Sequence, residues 1–179
     1  MTEVIRRSKA WVEQIVIGLN LCPFAKAPAN KGLIHYAHSQ ASDEEELLEE
    51  LWQECQQLIA RTPAERETTL LIHPDVGNTF TTYLDLLEDA QKCLEDWDLE
   101  GILQIASFHP DYQFHGTEAD ALENYTNRSP YPMLHLLREE SVSWAVEQHP
   151  DTEQIPEANQ ERLRDLGQQR FFDLLKKLR

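Results

Sequence analysis

The sequence predicts an α/β fold, a small and mainly parallel sheet of about three strands joined by β-α-β crossovers, with additional helices at the N- and C-terminal ends. Three observations carry this. Short apolar runs at residues 33–38 (LIHYAH), 68–72 (TTLLI) and 101–108 (GILQIASF) have strand length and end in turn-forming residues. The segments between them are helix-sized and repeat apolar residues at helical spacing. Strands separated by helices favour parallel pairing with right-handed connections. With no internal repeat and no low-complexity linker, residues 1–179 read as a single α/β domain.

The elements follow in chain order. Residues 4–19 form a first helix, with Trp11, Val12, Ile15, Val16 and Leu19 on one face; Gly18 and Asn20 weaken its end, and Pro23 stops it. The segment NLCPFAKAPANKG is rich in turn residues and leads into the first strand. Ser42 followed by Glu45 is a capping-box pattern, with acidic residues in the first turn where the helix dipole favours them. The helix that follows carries Leu48, Trp52, Cys55 and Ile59 on one stripe, flanked by Leu47, Leu51 and Leu58, and Pro63 closes it. After the second strand, Thr79 or Asn78 caps a helix whose face runs Phe80, Tyr83, Leu84, Leu87, Ala90, Leu94 and Trp97. Beyond the third strand and a long polar loop, helices are expected over residues 132–147 and 159–178. In the first of these, Pro132 stands at the opening position, and Leu134, Leu137, Val142 and Trp144 look like core.

Charge and cysteine usage exclude several classes of partner. A formal net charge of −16 disfavours attraction to nucleic acid or to an anionic membrane. The longest apolar run is far below the roughly 20 residues that span a bilayer, and the first residues carry charges where a signal peptide has its apolar stretch. Cys22, Cys55 and Cys93 are odd in number and widely spaced, which argues against a disulfide framework and fits a reducing cytoplasm.

Chemistry-bearing residues concentrate in the loop after the third strand. Two strands end alike, in His73-Pro74-Asp75 and His109-Pro110-Asp111, and parallel strands would place both turns on one rim of the sheet, where open sheets bind ligands. His-Pro-Asp is also simply a good strand-ending turn. His109, Asp111 and His115 fall within seven residues, and a curled loop could offer them to a divalent metal such as zinc or iron, although the spacing matches no standard zinc signature. Alternatively His109 serves as an acid or base, because imidazole titrates near neutral pH. Residues 124–132 form the densest polar cluster, and Asn127, Arg128 and Tyr131 within it, with Tyr112 upstream, are the candidate ligand contacts. Arg128 together with free N–H groups at a helix start would cradle a small anion; the competing partner is one of the chain's many acids. On the expected helix His135, Arg138 and Glu139 share a face. Cys22, in the turn NLCPF, is a candidate nucleophile whose thiol the preceding helix end should raise in pKa and Lys26 lower.

Three stretches carry a family resemblance: NLCPFA at residues 20–25, SFHPDYQF at 107–114 and NRSPYPMLHLLREESV at 127–142. In these the chain resembles the bacterial family of uncharacterised proteins known as domain of unknown function 1415. The similarity extends over nearly the whole chain, including the HPD segment at His149 and the IPE at Ile155. It implies a bacterial-type soluble, single-domain protein, and no activity or cofactor. It also implies that small residues are acceptable at position 115, which would move a metal pair from His109 and His115 to His109 and His135.

The leading expectation is therefore an enzyme acting on a small anionic molecule at the carboxyl rim of the sheet. His109 would be acid, base or ligand, Arg128 the anion clamp, and His135 and Cys22 further catalytic candidates. A non-catalytic metal- or ligand-binding protein using His109, Asp111, His115 and His135 is the alternative. An acidic interaction protein contacting a basic partner through Asp43 and the glutamates after it ranks third.

Overall fold

The computed structural model describes residues 1–148 and 152–178; the HPD segment at His149 lies outside them. Strands β1 (Ile34–His38), β2 (Thr68–Ile72), β3 (Leu103–Phe108) and β4 (Met133–Arg138) form one sheet in the order β1-β2-β4-β3. β1 and β2 are parallel, Ile34 beside Thr68 and His38 beside Ile72. β4 runs antiparallel to both of its neighbours, β2 and β3. The sheet thus has four strands rather than three, and antiparallel pairs outnumber the parallel one.

The correction comes from residues 133–138, which are a strand and not the first turns of a helix. Helix α5 begins only at Glu139 and runs to Gln148. MLHLLR is apolar almost throughout because β4 is central and covered on both faces, and such a run has no period to separate strand from helix. Pro132 therefore precedes a strand, and the cradle of helix N–H groups expected there does not exist. His135 and Arg138 lie on β4, off any helix face shared with Glu139. Arg138 instead donates from Nη2 to the carbonyls of Leu58, Arg61 and Arg66.

Helices α3 (Glu44–Ile59) and α4 (Phe80–Asp96) cover one face of the sheet. The buried stripe of α3 is Leu47, Leu51, Cys55 and Leu58, rotated from the expected one, so Trp52 is exposed and packs at a tilt against Trp97, ring centres 4.9 Å apart. In α4 the buried residues are Tyr83, Leu86, Ala90 and Leu94. Asp43, one position later than predicted, caps α3 by accepting from Glu46 N, while the Glu46 carboxylate returns to Ser42. Thr79 caps α4 as expected.

The opposite face is covered from both ends of the chain. Helix α1 (Glu3–Trp11) continues into a wider π-type segment over Val12–Ile17, and the short α2 (Lys26–Asn30) follows a turn. Gly18 closes that segment for a steric reason: a Cβ there would sit 2.2 Å from the Gln14 carbonyl oxygen. Helices α6 (Ile155–Leu166) and α7 (Gln168–Lys176) replace the single C-terminal helix expected, broken at Gly167 with φ 78°. Trp11, Val12, Ile15, Leu163, Phe171 and Leu178 pack with Leu70, Ile72 and Met133 in this second core. From α6, Asn159 Nδ2 donates to Leu21 O at 2.7 Å and Arg162 Nη1 to Asn20 O at 2.8 Å, pinning the turn before Cys22. Among the described residues no helix is long and apolar enough to cross a membrane.

Candidate functional site

Although β4 intervenes, β2 and β3 point the same way. Ile72 and Phe108 both pair with Met133, so the two His-Pro-Asp turns flank the start of β4 on one rim, as their shared sequence suggested. Both histidines turn inward. His73 donates from Nδ1 to Val76 O at 2.9 Å and stacks on Tyr83, while its Nε2 has no partner among the described residues. Burial pulls its pKa down to about 4. His109 is 0% exposed and has both ring nitrogens engaged. Nδ1 accepts from Asp111 N at 3.0 Å, which puts the ring proton on Nε2, 3.1 Å from Gly77 O. Burial lowers its pKa as well. Phe80, Tyr83 and Tyr112 complete an aromatic cluster around it.

The metal set expected of this loop is not assembled. His109 faces the interior with no free lone pair, whereas Asp111 and His115 are exposed. His135 is engaged elsewhere, its Nε2 2.7 Å from Thr68 Oγ1, and among the described residues no group of three or more His, Cys, Asp or Glu is placed to hold an ion. Asn127 also works locally: its Nδ2 donates to Ser107 O and its carbonyl accepts from His109 N, tying the loop to β3.

Arg128 lies over the outer side of this rim. Its Nε donates to Tyr112 O at 2.9 Å and its Nη2 to Ala119 O at 2.7 Å, with the guanidinium 4.5 Å from the Tyr125 ring centre. Tyr131 holds a second cation, Arg7 of α1, whose Nη1 donates to the phenol oxygen at 3.0 Å. Arg7, Arg128 and Lys176 of α7 line a groove of about 410 Å³ with Trp11, Tyr125 and Phe172 among its apolar walls. Arg7 Nε and Trp11 Nε1 are buried and have no hydrogen-bond partner among the described residues. Among the described residues neither arginine makes an ion pair, while Lys176 reaches Asp173 of its own helix at 3.3 Å. Sequence reasoning found Arg128 and missed Arg7 and Lys176. The available signal was the Arg6-Arg7 pair in an acidic chain, but only tertiary structure brings Arg7 to Tyr131, 124 positions away.

Cys22 and His135 meet elsewhere, on the walls of a cavity of about 320 Å³ beneath α5. Burial pushes the Cys22 thiol up, against partial relief from the N–H groups of Phe24 and Ala25. A thiol so placed stays protonated at neutral pH and is a poor nucleophile.

No curated protein and no solved structure matches the chain at a significant level. A family model described as "Protein of unknown function (DUF1415)" matches residues 3–173 of the 179, so nearly the full length of this chain belongs to that family.

Proposed function

We propose that the protein binds a small molecule through an anionic head group in the rim groove between Arg7, Arg128 and Lys176, with the aromatic walls taking its apolar body. One observation carries this reading. In a chain with 32 acidic and 16 basic residues, the two arginines of this groove are held by carbonyls and by a phenol and, among the described residues, by no carboxylate. Guanidinium groups so placed keep donors and charge for a carboxylate or phosphate, with which they form strong charge-assisted hydrogen bonds.

Recognition, rather than catalysis through His109, is what this arrangement favours. For His109 to act as base or acid, its bond to Gly77 or to Asp111 must open first. Titration with benzoate and with phenyl phosphate, followed by amide NMR, tests the reading. Perturbations should centre on Arg7, Arg128 and Lys176 and weaken with added salt. Arg128→Ala should lower affinity by about tenfold or more, the worth of one charge-assisted bond. Unchanged affinity in a folded Arg128→Ala protein, or no perturbation in the groove at millimolar probe, sinks it.

A further inference from the structure

The cavity beneath α5 has a chemistry opposite to that of the rim groove. Its walls come from β1, β2, β3, β4, the π-type segment, the Cys22 turn and α5, and they are mostly apolar. Glu67 and Arg138 are its charged lining residues; Arg138 Nη2 reaches the carbonyls of Leu58, Arg61 and Arg66, while its Nε is buried with no partner among the described residues. Besides Gln104 and Ser141 it is lined by a hydrogen-bonded polar pair, Thr68 Oγ1 and His135 Nε2, 2.7 Å apart.

The protons of that pair can be placed. Thr68 Oγ1 also lies 2.5 Å from Leu136 O, which can only accept, so the hydroxyl proton goes to the carbonyl. The hydroxyl oxygen must then accept from His135, which fixes the imidazole proton on Nε2 and leaves Nδ1 with its lone pair. No hydrogen bond to Nδ1 is formed among the described residues. Burial alone pulls the His135 pKa down to about 4, so the ring is neutral at pH 7.

We infer that this cavity is a second ligand site, for an uncharged and mainly apolar one- or two-ring molecule whose single hydroxyl donates to His135 Nδ1. Size agrees with this. A cavity of about 150 Å³ takes up benzene, and this one is about 320 Å³. The cover is light: Ser141, Val142, Ala145 and Val146 of α5 face the space, and no residue of that helix is buried. A ligand can therefore enter by displacing one helix face without opening either core. Trp144, expected in the core, is instead 64% exposed on the far side of α5.

Naphthol and its methyl ether test the inference, since they differ in the donor and little in shape. The full-length protein should bind naphthol about tenfold more tightly than the ether, one hydrogen bond to a buried acceptor. Amide shifts should map to Ala106, His135 and Val142, and alkylation of Cys22 should slow when naphthol is bound. In His135→Leu the two affinities should become equal at the ether's value, and Ala106→Phe, which fills the space beside His135, should abolish both. Equal affinities in the wild type, shifts that map to the Arg7–Arg128 groove, or no binding up to the solubility limit would each overturn it. The paired probes on wild-type protein decide the matter even if a variant fails to fold.

Discussion

Taking the protein from pH 7 to pH 4 should remove about 6 kcal/mol of stability, half of it through each of two histidines. His73 is buried and His135 partly buried on the cavity wall, and both are neutral, with pKa values near 4 against an ordinary value of 6.5. The sign follows from which state holds the extra proton. Below pH 6.5 the unfolded chain protonates both rings while the folded chain does not, so each step down favours unfolding. The stabilising contribution is complete above 6.5, declines through the interval, and is gone once pH falls through 4. His109, also depressed by burial, acts in the same direction. A whole domain has about 5–15 kcal/mol to lose, so this loss is a large share of the total. Urea denaturation at several pH values measures the effect. Replacing His73 and His135 by glutamine should flatten the profile between pH 6.5 and 4; a midpoint that does not move with pH in the wild type contradicts the account.

Tyr83→Phe should cost about 2–4 kcal/mol, although it removes a single oxygen. That hydroxyl is fully buried and inserted between two strands. It accepts from Phe108 N at 3.0 Å and donates to Met133 O at 2.8 Å, where β3 and β4 part company at the rim. Deleting it leaves one amide and one carbonyl without partners in a dry place, each costing about 1–3 kcal/mol. The same ring stacks on His73 and packs on His109. Calorimetry gives the stability, and hydrogen exchange at Phe108 should accelerate selectively. A loss below about 1 kcal/mol would mean that water or strand movement replaces the hydroxyl.

Much of this architecture was readable from residues because its signals are local. β1, β2 and β3 are apolar runs bounded by Gly, Pro and Asp, and the repeated His-Pro-Asp marks a common rim. Thr79 announces the start of α4 by its own hydrogen bond. What was illegible is what depends on partners far along the chain. β4 lacks a period because both of its faces are covered, and Pro132 beside it offered a helix start that the structure does not use. His109 was the residue type expected at a catalytic site, yet sequence cannot say that Gly77 and Asp111 occupy its two nitrogens. Arg128 was found by its setting. Arg7 needed the fold to bring it there.

The position of β4 in the sheet has a consequence for synthesis on the ribosome. β1, β2 and β3 emerge first, but β2 and β3 do not touch; the strand that joins them arrives only with residues 133–138. Until then the edges of β2 and β3 that β4 will fill stay unpaired, and α3 and α4 have only fragments of a sheet to pack on. Residues 68–72 wait for partners more than sixty positions downstream, the non-local kind of pairing that forms slowly. This is a chain whose sheet closes late, and its exposure to misassembly ends when the segment MLHLLR slides between its neighbours.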